Sequence, residues 1–213
     1  MLTREISHRV KNSLAMVASL LNMQSRMSDD PLLQRALADA QTRVHTIAQV
    51  HDRLWRSNEV HAVNLAEFMS ELCEQFQQTA QPGQLIRHDF LPVDVLTDQA
   101  VPLGLLANEL VTNAFKYAYP DGFGEVFVGI HKTAQGHLRL EVADRGIGLP
   151  EGFDGATSRS LGMKVINSFS RQLGGRPTWE DAAPGTRFVL DFFPQHGEEP
   201  SGQPALGSDR LPI

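Results

Sequence analysis

The sequence has a single cysteine, no apolar stretch long enough to span a membrane and a polar, charged start. One thiol excludes an intramolecular disulfide framework and a paired-cysteine metal site. Cys73 stands among Phe68, Leu72 and Phe76, so we expect it to be buried rather than nucleophilic. No run approaches the roughly 20 apolar residues that a membrane span requires. The absence of a secretory signal peptide favours a cytoplasmic, reducing setting.

Basic side chains are fewer than acidic ones: the chain has 19 Lys and Arg and 25 Asp and Glu, which gives a net charge of −6. Dedicated nucleic-acid binders usually carry a basic excess, so no nucleic-acid partner is expected. The charge is uneven, since residues 1–57 hold 8 basic and 5 acidic side chains. With 213 residues, 41% of them hydrophobic, the chain is long enough to bury an ordinary core.

The first 60 residues are predicted to form a helical hairpin. A break at residues 28–31 (SDDP) separates two segments whose apolar residues recur every three or four positions, as in amphipathic helices. A short connection makes the two helices antiparallel neighbours. Two helices bury little core alone, so we expect the hairpin to pair with a second copy as a four-helix bundle. The periodic residues are Ile6, Val10, Leu14, Val17 and Leu21, then Leu33, Leu37, Ala40, Val44, Ile47, Val50 and Leu54.

After a linker at residues 58–64, residues 61–193 are predicted to form an α+β domain, a mixed or antiparallel sheet with helices on one face. Turn residues and hydrophobic periodicity divide this domain into elements. Residues 194–213 are poor in apolar side chains and rich in Pro and Gly, and we expect a disordered tail there. The predicted helices are 64–79, 98–118 and 160–174; the predicted strands are 85–90, 94–97, 125–132, 137–144, 176–181 and 186–193.

One segment of this domain, NELVTNAFKYA, carries an unusual polar face on a hydrophobic helix. Its polar residues are three or four positions apart, so they share much of one side of the helix. Two carboxamides, a carboxylate and an ammonium could bind a ligand, although a solvated polar face is an equally good interpretation of this segment alone. The residues are Asn108, Glu109, Thr112, Asn113 and Lys116.

Two further segments, DRGIGLP and SLGMKV, have the composition of ligand-binding loops. Asp144 ends a strand and precedes two glycines, which let a backbone approach a ligand closely. Its carboxylate could accept from an exocyclic amine and so select adenine, or Asp144 could simply belong to a tight turn. Gly162 opens a helix after a glycine-rich loop, an arrangement that suits phosphate. The P-loop and dinucleotide fingerprints are both absent.

In this order and spacing the three segments resemble the N, G1 and G2 boxes of the GHKL ATPases, the group that includes histidine kinases and DNA gyrase B. The resemblance extends over about residues 98–193. It implies a Bergerat-type α/β sandwich that binds ATP between a helical layer and a lid, here the short stretch from about Pro150 to Ser160. No phenylalanine-rich F box is present in the sequence.

The resemblance also implies roles for individual residues. Asn113 corresponds to the Mg²⁺-coordinating asparagine, and Glu109 to the carboxylate that assists at the metal or the attacking group. Asp144 would bind the adenine amine. The remaining assignments place Lys116 and Gly162 at the phosphates, Gly146 and Gly148 around the adenine pocket, and Thr186 near the base.

The first helix, EISHRVKNSLAMVASLL, resembles the H box of the HRVKN subclass of sensor histidine kinases, the HisKA type 2 and HWE-like group. His8, which corresponds to the phosphorylated histidine, is about 200° around the helix from Ile6 and is therefore expected to be exposed. Arg9 follows it where the commonest kinases have an acid. Glu5 is then a candidate base, and Asn12 a candidate for orienting water in dephosphorylation.

These resemblances predict the core of a two-component kinase, in which ATP and Mg²⁺ support phosphorylation of His8 and transfer to a response regulator receiver domain. Two alternatives stay open at this point. One is a non-catalytic histidine phosphotransfer protein with a degenerate GHKL domain. The other is a GHKL serine kinase that acts on an anti-sigma partner. The remaining histidines show no metal-ligand grouping; they are His45, His51, His61, His88, His131, His137 and His196.

Overall fold

A computed structural model describes residues 2–54, 62–158 and 160–195, although several side chains of the first two helices lie outside this description. Helix α1 spans Leu2–Met27 and helix α2 spans Pro31–Leu54, as the periodicity predicts. Asp30 begins α2, because its carboxylate accepts from the Leu32 N–H at 2.8 Å and proline occupies the first helical position. The two helices pack along each other as a hairpin.

Helix α1 carries two apolar rows, whereas the sequence periodicity predicts one row on each helix. Ala18 is buried, and Val10, Leu14 and Leu21 are partly buried, as expected for an inner row. Val17, predicted on that row, is instead 44% exposed. A second row on α1, four and three residues apart, is exposed; its members are Met16, Leu20, Met23 and Met27.

Within the described residues 62–158 and 160–195, the α+β part contains three further α-helices, a short π-helix and seven strands. The segment predicted as a linker up to residue 64 ends in a strand, while residues 58–61 lie outside the described part. The bounds are β1 Ala62–Asn64, α3 Leu65–Thr79, β2 Gln84–Phe90, β3 Asp94–Leu96, α4 Thr97–Asn113, the π-helix Ala114–Ala118, β4 Gly124–Lys132, β5 Leu138–Asp144, α5 Leu161–Gln172, β6 Pro177–Asp181 and β7 Thr186–Phe192.

Five of these strands form a mixed sheet in the order β2-β4-β5-β7-β6. Only β2 and β4 run parallel; the other neighbours are antiparallel. Alternate residues of β5 are buried, as expected for a sheet with one face on a core. Strands β1 and β3 form a separate antiparallel pair. The predicted mixed sheet and the α+β class are confirmed.

Helix α4 is the centre of the core, since most of its residues are buried. The prediction of one α-helix over 98–118 is wrong at its end, where Ala114–Ala118 form a π-helix. Asn64 caps α3 by accepting from the Glu67 N–H at 3.1 Å, as predicted. Cys73 is buried against this core, and burial raises the pKa of its thiol to about 12, in agreement with the predicted packing role.

The start of the predicted tail belongs to the folded domain. Gln195 donates its N–H to Gln99 Oε1 at 2.6 Å, and its carbonyl accepts from the Leu96 N–H at 3.1 Å. Gln99 also donates to the Phe193 carbonyl. These bonds hold residues 194–195 against the first turn of α4, which corrects the predicted tail boundary. Residues 196–213 lie outside the described part.

Candidate functional site

A cavity of about 700 Å³ lies where α4, the segment after β5 and the start of α5 meet. Its walls also include residues of β6 and β7 and of the hairpin helix α2. Because these elements are far apart in the sequence, the cavity exists only in the folded chain. It is lined by both charged and apolar side chains, as is typical of small-molecule sites.

The polar face of α4 and the π-helix forms one wall of this cavity. Asn108 and Glu109 are buried, whereas Thr112 and Lys116 are exposed at the mouth and Asn113 lies between. All five line the cavity, so this face is not merely solvated. The π-helix carries Lys116, and such one-turn insertions in helices are frequent at functional sites.

Asp144 stands at the end of β5, deep in the cavity. Its side chain is buried, and Oδ1 accepts from the Gly146 N–H at 2.9 Å and from the Thr186 N–H at 3.2 Å. Thr186, also buried, lines the same cavity. Two backbone donors on one oxygen hold the carboxylate in one orientation, so Oδ2 is the atom that we expect to accept from a ligand.

The two glycines that follow Asp144 are needed for different structural reasons. A Cβ at Gly146 would come within 2.1 Å of the Ala118 carbonyl oxygen, so only glycine fits against the π-helix there. Gly146 does not itself line the cavity, in contrast to the predicted pocket role. Gly148 has φ +77°, which favours glycine, and it does line the cavity.

Gly162 lies in the first turn of α5 and faces the polar wall. A Cβ there would be 3.3 Å from Glu109 Oε2 and 3.7 Å from Asn113 Nδ2. Ser160 caps the helix by accepting from the Met163 N–H at 3.3 Å. The first turn of α5 therefore faces the wall that holds Glu109 and Asn113.

Sequence reasoning missed an aromatic group in the cavity. Trp179 of β6 packs edge-on against Phe153 and Phe188, with ring centroids 5.4 and 5.0 Å apart. All three line the cavity. Trp179 Nε1 is buried and has no hydrogen-bond partner among residues 62–158 and 160–195 or the described hairpin. No local motif marks Trp179, because it reaches the cavity only through the pairing of β6 with β7.

Sequence reasoning also missed two residues of α2, Ala36 and Arg43, which line the cavity from the hairpin. Arg43 forms a two-point ion pair with Glu109, Nε to Oε1 at 2.5 Å and Nη2 to Oε2 at 3.0 Å. Arginine is common on amphipathic helices, so the sequence alone does not single out Arg43. Arg43 reaches the cavity only because α2 packs against α4.

The predicted lid consists of turns, and Arg159 within it lies outside the described residues. Asp154 accepts from the Ala156 N–H at 2.9 Å, and this bond lowers the pKa of its carboxyl group. Other ion pairs cross the sheet away from the cavity. Arg139, for example, pairs with Asp191 on the neighbouring strand and lowers the pKa of that carboxyl group.

The residues of the H box lie on α1, before Met27. The backbone of His8 and Glu5 is helical, but their side chains lie outside the described ones; Asn12 is exposed. Among the described residues there is no cluster of three or more His, Cys, Asp or Glu side chains that could hold a metal. Nor is any described helix both long and apolar enough to cross a membrane.

Two protein-family models match the chain. Residues 5–80 match the HisKA type 2 histidine kinase family, and residues 98–197 match the histidine kinase-, DNA gyrase B- and HSP90-like ATPases. Among curated proteins, the sensor histidine kinase PdtaS of Mycobacterium tuberculosis is 36% identical over 192 residues, or 88% of this chain. The chain spans 38% of the length of that relative.

A second relative is the blue-light-activated histidine kinase of Brucella anthropi, 37% identical over 55% of this chain and 23% of its own length. Among solved structures, the histidine kinase domain of the Erythrobacter litoralis EL346 blue-light-activated kinase is similar, with 25% identity and a TM-score of 0.63. The similarity covers 89% of this chain and 92% of that domain. The chain therefore carries a HisKA type 2 (HWE-type) histidine kinase region followed by a GHKL ATPase domain, the two parts of a histidine kinase core.

Proposed function

We propose that this chain is the catalytic core of a two-component sensor kinase that uses ATP·Mg²⁺ to phosphorylate its own His8. The observation that carries this proposal is the single cavity lined by Asn113, Asp144 and Gly162, one residue from each of three segments far apart in the sequence. In the same chain, the region that matches the histidine kinase family precedes the region that matches the ATPase family. We divide the chain into the hairpin, 1–60, and the ATP-binding domain, predicted as 61–193 and extended to Gln195 by its hydrogen bonds to Leu96 and Gln99.

The adenine end of the nucleotide would lie at Asp144. The exocyclic amine of adenine donates two hydrogens, and a buried carboxylate oxygen is a strong acceptor for one of them. The base would contact the apolar surfaces of Val142 and Phe188, which line the same cavity as Asp144. Guanine presents a carbonyl at the equivalent position, so Asp144 would repel it.

The phosphate end would lie between the first turn of α5 and the polar wall of α4. Gly162 leaves space there, and Lys116 supplies a cation at the mouth. Asn113 and Glu109 offer the hard oxygen ligands that Mg²⁺ prefers, so the residues present fit this metal. When bound, Mg²⁺ would neutralise charge that develops on the phosphates.

In the reaction, a ring nitrogen of His8 would attack the γ-phosphorus in line with the departing ADP. An N–P bond forms, the bond between phosphorus and the bridging oxygen of ADP breaks, and the imidazole proton passes to a base. Glu5 is a candidate base on α1, and Glu109 is a candidate on the ATP-binding domain. Catalysis of this kind consists mainly of positioning and charge neutralisation.

The phosphoryl group would then pass to an aspartate of a response regulator receiver domain. The hairpin carries more basic than acidic residues, which suits contact with the acidic pocket of such a partner. Asn12, which is exposed on α1 one turn after His8, would orient water during dephosphorylation. The exposed apolar row of α1 supports pairing of two hairpins in a homodimer.

The test is labelling with [γ-³²P]ATP, followed by treatment with acid and with base. The wild-type chain should acquire a label that acid removes and base does not, as expected of phosphohistidine. His8→Ala should lose this label and still bind ATP in calorimetry. His88→Ala, which alters an exposed histidine of β2, is the matched control and should label normally.

Equal labelling of His8→Ala and the wild type would contradict the assignment of His8. The same experiment separates the alternatives. A degenerate phosphotransfer protein would neither bind ATP nor label itself. A serine kinase would bind ATP and transfer an acid-stable label to a partner protein.

A further inference from the structure

Arg43 of the hairpin lines the same cavity as Asp144. Its guanidinium lies between α2 and α4 and is held by both oxygens of Glu109 through Nε and Nη2. Its side chain is 20% exposed and that of Glu109 is 7% exposed, so the pair is largely removed from water. The contact joins the helical hairpin directly to the polar wall of the cavity.

This ion pair leaves part of the guanidinium unused. A guanidinium has five N–H donors, of which two are engaged with Glu109. Nη1 is buried and has no hydrogen-bond partner among the described residues. A buried donor without a partner is unfavourable by itself, and on a cation it suggests an anionic ligand that the protein binds.

The groups around Arg43 are those expected at a phosphate-binding site. Nη2 would be 3.6 Å from a Cβ at Gly162, in the first turn of α5. Asn113 Nδ2 and Glu109 Oε2 lie close to the same point. The guanidinium is thus next to a helix N-terminus, where backbone N–H groups and the helix dipole favour negative charge.

We infer that Arg43 is a phosphate-binding residue that the hairpin contributes to the nucleotide site. In this arrangement Nη1 donates to a β- or γ-phosphate oxygen while Nε and Nη2 stay on Glu109. The inference rests on the ATP site proposed above and names a ligand that lies outside the GHKL motifs. Lysine could not serve in the same way, because it lacks the planar fork that holds two anions at once.

The charge balance explains why an arginine is needed at this position. A buried carboxylate at position 109 would repel the triphosphate, because interactions between charges are strong in a partly desolvated cavity. The guanidinium neutralises Glu109 and adds an attraction toward the phosphates. Nucleotide binding then favours the contact between hairpin and ATP-binding domain, because the phosphate becomes a shared partner of both.

The experiment compares Arg43→Gln with the wild type in calorimetric titrations of ATP, ADP and AMP. Arg43→Gln should bind ATP about tenfold to a hundredfold more weakly, as expected for loss of one charge-assisted hydrogen bond. AMP, which lacks the β- and γ-phosphates, should bind as it does to the wild type. Arg26→Gln, an exposed arginine on the same hairpin, is the matched control and should change neither affinity.

A double variant, Arg43→Gln with Glu109→Gln, distinguishes phosphate binding from simple neutralisation of Glu109. If Arg43 contacts phosphate, the double variant should still bind ATP weakly relative to Glu109→Gln alone. Recovery of ATP affinity to the level of Glu109→Gln would overturn the inference. Equal weakening of ATP and AMP would also overturn it, because that result would indicate a disturbed hairpin or adenine pocket.

Melting curves of each variant, followed by circular dichroism, establish that the folded domain is retained. The His8 labelling experiment is independent of these titrations. If the wild type binds ATP but His8 is not labelled, the proposed kinase reaction fails while the role of Arg43 can still be measured. If the wild type labels His8 and Arg43→Gln retains full ATP affinity, only the inference about Arg43 fails.

Discussion

At the scale of single residues, the orientation of the Asp144 carboxylate carries the argument for adenine. The Gly146 and Thr186 N–H groups both donate to Oδ1, so the side chain cannot rotate without losing two hydrogen bonds. We therefore expect Oδ2 to be the atom that accepts a hydrogen bond from the adenine amine. Pre-orientation of this kind reduces the conformational entropy lost when a ligand binds.

Asp144→Asn tests this orientation. The asparagine Oδ1 can keep both backbone bonds, and Nδ2 then takes the place of the acceptor Oδ2. A donor would face the adenine amine, so we expect ATP affinity to fall by about 1.5–3 kcal/mol, roughly tenfold to a hundredfold. Discrimination against GTP should fall as well. Calorimetry with ATP and GTP measures both effects.

The matched control for this variant is Asp121→Asn, because Asp121 is an exposed turn residue that does not line the cavity. It should bind both nucleotides as the wild type does. If Asp144→Asn also binds them normally, Asp144 is only a turn residue and the adenine assignment is wrong.

At the scale of secondary-structure elements, the π-helix is coupled to the loop after β5. The Ala118 carbonyl, at the end of the π-helix, accepts from the Ile147 N–H at 3.0 Å. Tyr119 Oη accepts from the Arg145 N–H at 2.9 Å, next to the same loop. These contacts fix the loop that follows Asp144 relative to the segment that carries Lys116.

Gly146→Ala should break this coupling. The added methyl group would lie 2.1 Å from the Ala118 carbonyl oxygen, a backbone atom that cannot move without shifting the π-helix. We expect a lower melting temperature and weaker ATP binding together, because the displaced loop also holds Asp144. Thermal denaturation and calorimetry of the same preparation check both.

Gly136→Ala separates this clash from the effect of backbone conformation. Gly136 has φ +84° in the turn between β4 and β5, and a Cβ there would meet no atom within 4 Å. It should lose about 1–2 kcal/mol of stability, the penalty of a left-handed conformation, with no change in ATP affinity. If Gly146→Ala behaves like Gly136→Ala, the close packing on Ala118 has no role in nucleotide binding.

At the scale of the whole molecule, the hairpin exposes a set of large apolar side chains. Met16, Leu20, Met23 and Met27 form one row along α1 and are 50–78% exposed. Leu32 and Leu33 at the start of α2 are also exposed. A contiguous apolar surface of this kind usually marks an interface, in agreement with the proposed homodimer.

Leu20→Glu should convert the dimer to a monomer, because a carboxylate would be buried without a partner at the centre of the row. Glutamate is a good helix former, so α1 itself should persist. ATP binding should be retained, since Leu20 does not line the cavity. Analytical ultracentrifugation of the wild type and the variant over a range of concentrations measures the change.

Gln24→Glu adds the same charge at an exposed polar position of α1 and serves as the control. It should remain dimeric. A wild-type chain that is monomeric at all concentrations, or equal association of the two variants, would contradict dimerisation through this row.

What the sequence by itself determined about this protein is local. Helical spacing predicts α1, α2 and α3, and alternation predicts β4 and β5, because each pattern is read within one element. The segments around Asn113, Asp144 and Gly162 are recognisable in the sequence because each resembles a GHKL motif whose residues stand at short spacing. The pattern does not reveal that the end of helix 98–118 is a π-helix, because a π-helix has the same composition as an α-helix.

Tertiary structure alone decided which distant residues share the cavity. Arg43, Trp179 and Ala36 carry no local signal, since their positions depend on how α2 docks on α4 and how β6 pairs with β7. The sequence also places Gln195 in the tail. Its hydrogen-bond partners, Leu96 and Gln99, are about a hundred residues earlier in the chain, so no local pattern reveals the contact. Sequence periodicity specifies which face of a helix is apolar, but the partner of a charged side chain is set only when the folded elements come together.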